Sequence, residues 1–437
     1  MLNLLAQHSQ LISGEVLCPG DKSISQRAVI LGSLLNEDIV IKGFLNGEDP
    51  ISTANALNAI GSSITIQGTS VTINKRDIPF RNPDKEVDLG NSGTGMRLMM
   101  GLISSLNLNA TLVGDESLMK RPMLRVSDPL NEMGASVVCS EGRPPVSILE
   151  GKINNNFDYV MPIASAQVKS SIILAAVAAN KNVTVTEKHP TRNHTERMIS
   201  YFQGNIKSTP EGLGNKIQYT PSKLIPTSTY EVVGDFSSAS FLIVAGLIAD
   251  QSNILIKNVG LNPTRCGLIS VLKSMGGIID IQNERIVSNE EVGDIHVVSS
   301  SLKGVSVNGD IIPNIIDEIP ILSIAASFAN GETLISDAKE LRVKESDRLQ
   351  AIADGLREIN IQHELYEDGI RITGSEDDIS VCPEIDSHGD HRIAMSFLIA
   401  SLRSKNGIYV KDCANIFTSF PNFIEVMSSL GMKLNER

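Results

Sequence analysis

The sequence predicts an α/β protein of two similar domains, each made from three copies of one small unit. Three patterns carry that expectation. A polar turn followed by a helix that is apolar nearly all round recurs six times. A short β-branched strand comes after such helices, and an amphipathic helix ending at glycine, together with hairpin-like alternation, completes the unit.

The six turn-helix segments begin at Pro19 (PGDKSISQRAVILGSLL), Leu89 (LGNSGTGMRLMMGLISSL), Met161 (MPIASAQVKSSIILAAVAA), Val232 (VVGDFSSASFLIVAGLIAD), Asn314 (NIIDEIPILSIAASFA) and Asp386 (DSHGDHRIAMSFLIASL). An all-round apolar helix is buried on every side. The spacing is roughly seventy to eighty residues, too long for a solenoid repeat and suited to a small βαβ-type unit. Strands follow as NVTVTEK or NILIKNVG, and the second helices end as ALNAIG, PLNEMGA, VLKSMGG and EVMSSLGM. Glycine there suits a left-handed C-cap. SITIQGTSVTI and DGIRITG read as hairpins that close units. In each domain three buried helices are expected to run parallel beneath a sheet layer, with their polar N-terminal turns facing one way. If the domains face each other, those turns line the cleft between them. The competing reading is that each turn is simply an N-cap.

The chain has 437 residues, 41% hydrophobic and 20% charged, with no Trp, which describes an ordinary globular protein whose cores are aliphatic. A formal charge of −12 argues against a nucleic-acid or anionic-membrane surface. Cys18, Cys139, Cys266, Cys382 and Cys413 are odd in number and scattered, so neither disulfides nor a zinc site is expected. The first residues lack the basic region of a signal peptide, and no apolar run reaches the ~18 residues of a membrane span. A cytoplasmic location is expected.

Lys22-Ser23 superficially ends a nucleotide P-loop, but five residues separate Gly14 from Gly20 where that motif needs four, and Asp21 intervenes. The physics of an anion at a helix N-terminus still applies. Lys22 and Arg27 lie in the first segment, Arg97 in the second, Lys169 in the third and Arg392 in the sixth. A cation near a helix N-terminus opposes the macrodipole by about 0.3–1 kcal/mol, so its presence makes sense if a ligand supplies negative charge. LRVKESDRLQAI adds Arg342, Lys344 and Arg348, the last two sharing a face if that stretch is helical; GDESLMKRPM adds Lys120 and Arg121, and TRNHTERM adds Arg192. Lys120, Arg197 and Arg342 read as charges on solvated faces. Asp317, Glu318 and Glu345 read equally as carboxylates for proton exchange with a bound substrate or as salt-bridge partners, whereas salt bridges are favoured for Asp347 and Asp390. His388 and His391 lack the companions of a metal motif, and no G-x-S-x-G elbow is present.

In this order, PGDKSISQRA, LGNSGTGMRL, RPM, ASAQVKS, GDFSSAS, IDEIP, LRVKESDR and DHRIAM closely resemble the 3-phosphoshikimate 1-carboxyvinyltransferase (EPSP synthase) family over essentially the whole chain. The resemblance implies two domains of three βαβαββ units each, an inside-out α/β barrel arrangement. Residues 1–19 plus 235–437 would form one domain and 20–234 the other, with the active site in the cleft between them. It also implies transfer of the enolpyruvyl group of phosphoenolpyruvate to the 5-hydroxyl of shikimate 3-phosphate, without an organic cofactor or metal. By resemblance, Lys22, Ser23, Arg27, Ser165, Ala166, Gln167, Arg192, Asp317 and Lys344 hold shikimate 3-phosphate. Lys22, Asn91, Gly93, Arg121, Gln167, Arg348 and Arg392 hold phosphoenolpyruvate, and Lys22, Asp317 and Glu345 are catalytic. Glyphosate is the expected inhibitor; a monomer is expected, with no nucleic-acid or membrane partner.

Three departures from many relatives, Leu98 after Arg97, Ala166 in ASAQ and Thr418 in FTSFPNF, resemble the class II branch, where a monovalent cation can contribute. The nucleotide-sugar enolpyruvyl transferases share the architecture but usually carry a cysteine in the loop matching GDESLMKRPM, which has none here. A catalytically silent binding homologue is the other alternative; loss of Lys22, Asp317, Glu345 or Arg392 would have favoured it, and all four are present.

Overall fold

A computed structural model describes residues 2–437. The chain divides into two compact units. Unit one comprises the residues up to Pro19, Gly234–Arg285 and Glu291–Arg437; unit two comprises Gly20–Val233 and Ile286–Glu290. A boundary placed at residue 235 does not capture that last segment. Its residues bond within unit two: Glu231 N donates to Ser288 Oγ at 3.0 Å, and Arg197 Nη1 donates to the Asn289 carbonyl at 2.9 Å.

Among the described residues, six four-stranded sheets, three per unit, share one topology. An edge strand runs parallel to its neighbour, and two antiparallel strands follow. In unit two, Thr229–Glu231 pairs in parallel with Ile39–Lys42, which pairs antiparallel with Ser70–Ile73 and so reaches Ile64–Gln67. The βαβαββ unit is thus present six times, and the fold is the two-domain α/β arrangement expected from the sequence. In unit one the repeat is closed by distant chain: Leu4–Gln7 lies between Ile408–Lys411 and Lys433–Glu436, with Leu4 opposite Val410 on one side and Glu436 on the other.

The six apolar segments form the helices Lys22–Leu35, Gly93–Ser105, Ala166–Ala179, Phe236–Ile248, Ile319–Ser327 and His391–Ala400. All thirteen residues of Phe236–Ile248 are buried, as are all of Ile319–Ser327 and His391–Ala400. Burial of each Leu, Ile or Val contributes about 1.5–3 kcal/mol before the cost of ordering the chain. Five of the helices carry side-chain caps, from Asp21, Ser92, Ser165, Asp235 and Asp390. The N-cap reading of the polar turns is therefore correct for these five, and it is compatible with a ligand role for the neighbouring cations.

Helices Gly93–Ser105 and Ala166–Ala179 pack backbone against backbone. A Cβ on Gly101 would lie 2.2 Å from the Ser171 carbonyl oxygen, so only glycine permits the crossing. Ser171 Oγ donates to the Arg97 carbonyl at 2.9 Å and pins the same contact.

Candidate functional site

None of the six buried helices has an acidic residue in its first turn. Carboxylates stand only at the cap position, from Asp21, Asp235, Asp390 and Glu318, while cations gather inside the first turns of several of these helices. This arrangement suits an anionic ligand.

In unit two, Asp21 caps the first helix by accepting from Ile24 N at 2.8 Å, and Lys22 Nζ lies 2.9 Å from Asp49 Oδ2. Arg27, one turn further, is buried. Its Nε donates to Thr195 Oγ1 at 2.8 Å, Nη1 to the Ser23 carbonyl at 3.0 Å and Nη2 to Ser170 Oγ at 2.9 Å. Gln26 Nε2 donates to Ser92 Oγ at 2.6 Å, joining the N-terminal turns of the first two helices.

Around the second turn, Arg121 Nη2 donates to Asn91 Oδ1 at 3.1 Å. A Cβ on Gly93 would lie 2.5 Å from Arg121 Nη1, so the glycine leaves the passage that this guanidinium occupies. Arg97 Nη1 donates to Gln167 Oε1 at 2.7 Å, and Gln167 Nε2 donates to Thr94 Oγ1 at 2.8 Å. Ser165 caps the third helix and Ala166 is its first residue. Arg192 is half-buried just before the helix His194–Tyr201. That helix and the preceding loop are anchored by a buried ion cluster: Lys169 Nζ lies 2.9 Å from Glu187 Oε2 and 2.8 Å from Glu196 Oε1. Glu187 Oε2 also accepts from Thr191 Oγ1 at 2.6 Å.

In unit one the centre is Arg348, whose side chain is 1% exposed. Nε lies 2.8 Å from Asp390 Oδ2, Nη2 is 2.5 Å from Glu345 Oε2, and Nη1 is 3.3 Å from Asp317 Oδ1. Burial disfavours the cation, but the carboxylates of Asp390, Glu345 and Asp317 outweigh it and hold the guanidinium above its ordinary pKa. Lys344 Nζ is 3.4 Å from the same Asp317 oxygen. Arg392 Nη1 donates to the Asp317 main-chain carbonyl at 2.9 Å. The structure thus brings Asp317, Lys344, Glu345, Arg348 and Arg392 together within unit one. Asp317, Lys344 and Glu345 keep part of their surface open, while Arg348 is enclosed by its acids.

Several sequence readings need correction. Lys344 and Arg348 do not share a helical face, because Lys344 ends the 3-10 turn Lys339–Val343 and the next helix begins only at Arg348, capped by Asp347. Arg342 and Arg197 are not solvated charges. Arg342 binds Asp347 at 2.8 Å and the carbonyls of Tyr366 and Glu367, while Arg197 holds Asn289 and Asn193. Lys120 is exposed as expected. Asp390 and Asp347 are ion-pair partners, as read from the sequence. Asp49, Thr195, Ser237 and Arg265 were missed; Ser237 and Thr195 lie inside GDFSSAS and TRNHTERM but carry no charge to single them out, and Asp49 is signalled only as an acid in the first turn of the helix Glu48–Ala59. Among the described residues no group of three or more His, Cys, Asp and Glu is placed to hold a metal ion. No helix among them is long and apolar enough to cross a membrane.

A family model described as EPSP synthase (3-phosphoshikimate 1-carboxyvinyltransferase) matches residues 6–427. The chain belongs to the EPSP synthase family. The 3-phosphoshikimate 1-carboxyvinyltransferase of Ruthia magnifica subsp. Calyptogena magnifica is 43% identical over 438 residues, covering 100% of this chain and 99% of the relative. That of Petrotoga mobilis is 46% identical, covering 96% and 97%. Among solved structures, an EPSP synthase from Acinetobacter baumannii superposes with a TM-score of 0.87 at 40% identity, covering 100% of both chains. As an EPSP synthase family member, the chain carries the family's two-domain α/β fold with both residue constellations on the turns described above.

Proposed function

We propose that this chain transfers the enolpyruvyl group of phosphoenolpyruvate to the 5-hydroxyl of shikimate 3-phosphate, releasing phosphate and yielding 5-enolpyruvylshikimate 3-phosphate for aromatic biosynthesis. Family membership over nearly the full chain supports the reading. The observation that carries it is the set of buried helix N-termini that lack first-turn acids and stand beside Lys22, Arg27, Arg97 and Arg392. Substrates bearing phosphate and carboxylate supply the negative charge that those cations attract.

On this reading Lys22, Ser23, Arg27, Ser165, Ala166, Gln167 and Arg192 hold shikimate 3-phosphate, with Asp317 and Lys344 at its hydroxyls. Lys22, Asn91, Gly93, Arg121, Gln167, Arg348 and Arg392 attend phosphoenolpyruvate. Asp317 takes the 5-hydroxyl proton as the oxygen attacks C2 of phosphoenolpyruvate, and Glu345 or Lys22 delivers a proton to the methylene carbon. The product of this step is a tetrahedral adduct. Loss of a methyl proton then regenerates the double bond as the C2–O bond to phosphate breaks, with the arginines and helix ends stabilising the departing dianion. The same reading assigns the chain to the class II branch of the family, an assignment supported by Leu98, Ala166 and Thr418.

Phosphate release by the purified chain, given phosphoenolpyruvate with either shikimate 3-phosphate or UDP-N-acetylglucosamine, tests the assignment. Release with shikimate 3-phosphate alone is expected. Release only with the nucleotide sugar, or none with either, overturns it.

A further inference from the structure

We propose that Ser237 and Glu318 are positioning residues for Arg392, an assignment that rests on the enolpyruvyl-transfer reading above. Neither needs to touch substrate; both act by fixing a guanidinium that does.

Ser237 is buried, and its hydroxyl is used to capacity. Oγ accepts from Arg265 Nη2 at 2.9 Å and from Arg392 Nη2 at 3.3 Å, and it donates to Glu318 Oε1. One proton and two lone pairs are all a hydroxyl possesses, so the bridge is saturated. Asp235 steadies the other end of the chain of contacts: its Oδ1 lies 2.8 Å from Arg265 Nη2 and also accepts from Ser237 N at 2.7 Å, capping the helix that begins at Phe236.

Glu318 is 0% exposed, and its Oε1 lies 3.6 Å from Arg392 Nη1. Its Oε2 is buried without a hydrogen-bond partner among the described residues. A buried carboxylate oxygen left in that condition costs stability, which a neutral or apolar side chain would avoid. What the carboxylate supplies is a full negative charge behind the arginine. Since the Asp317 carbonyl accepts from Arg392 Nη1 at 2.9 Å, the guanidinium is held from three directions. An arginine fixed before the anion arrives loses less freedom on binding it, so the effect belongs to anion affinity.

Two substitutions separate the components. Ser237→Ala removes the bridge and keeps the charge; Glu318→Gln keeps an acceptor for Ser237 and removes the charge. Steady-state phosphate release by the full chain is measured with each substrate varied in turn, alongside circular dichroism and thermal unfolding. With folding intact, each variant is expected to raise KM for phosphoenolpyruvate about tenfold, the scale of one lost charge-assisted hydrogen bond, while KM for shikimate 3-phosphate stays within about twofold. A merely structural role would move both KM values together or leave neither variant folded, and either result overturns the proposal, as does an unchanged KM for phosphoenolpyruvate. If the unsubstituted chain turns over the two substrates while the variants behave like it, the positioning role falls and the enzymatic reading stands. If the unsubstituted chain is inactive, both fall.

Discussion

Replacing Gly93 by alanine places a methyl group where Arg121 now passes. The added Cβ would lie 2.5 Å from Arg121 Nη1, 3.3 Å from Arg97 Nη1 and 3.6 Å from Arg121 Cδ. Contacts of this kind settle near ~3.5 Å, so Nη1 must retreat by about 1 Å. The backbone has no objection, because Gly93 opens a helix without the positive φ that disfavours a side chain. Alanine in a helix gains up to about 1 kcal/mol over glycine, so folding stability should hold or rise slightly. The cost falls on the guanidinium, which loses registry with the 3.1 Å bond to Asn91 Oδ1 and with any anion it clasps. One charge-assisted hydrogen bond is worth about 1.5–3 kcal/mol, which converts to a rise of about 10- to 150-fold in KM for phosphoenolpyruvate. Glyphosate, tested as a competitor in the same phosphate-release assay, should weaken in parallel. A variant with unchanged KM and unchanged inhibition, or with an equal loss for shikimate 3-phosphate, would refute the crowding argument.

Asp317→Asn should lower kcat far more than it raises either KM if the proposed base is lost while the contacts remain; equal losses in both quantities would contradict that role. Lys169→Met should destabilise the chain by about 3–5 kcal/mol in urea unfolding, since it strands Glu187 and Glu196 in a dry interior; a change below about 1 kcal/mol would show that the cluster is already relaxed by water. Burial pushes the Cys413 thiol from its ordinary 9.0 up to about 12, so above pH 9 the unfolded chain releases this proton more readily than the folded one. The associated stability is intact below pH 9, declines as pH rises and is gone past about 12. Cys413→Ser should therefore flatten the alkaline fall in unfolding midpoint, and an unchanged slope would assign that fall to other groups.

The repeat was legible because its signals are local. Asp21, Ser92, Ser165, Asp235 and Asp390 sit directly before apolar runs, and a capping side chain reaches only two or three residues ahead. Cations at those same turns could be counted from the letters alone. Their partners could not: Lys22 meets Asp49 and Arg27 meets Thr195 only after the chain has folded back. The spacing of Lys344 and Arg348 misled because periodicity does not mark where a helix begins, and Asp347 starts one between them. Arg265 was invisible for a different reason, since NPTRCG has neither a helical period nor a capping pattern to mark it.

The central placement of Leu4–Gln7 in the last sheet has a consequence during synthesis. This strand leaves the ribosome long before either of its neighbours, Ile408–Lys411 and Lys433–Glu436. Until then, the buried faces of Leu4 and Leu5 have nothing to cover them, and an unpaired apolar strand is an invitation to misassembly. Nascent chains stalled before Ile408 should accordingly hold a protease-resistant Gly20–Val233 portion while the strand Leu4–Gln7 stays accessible to chaperones.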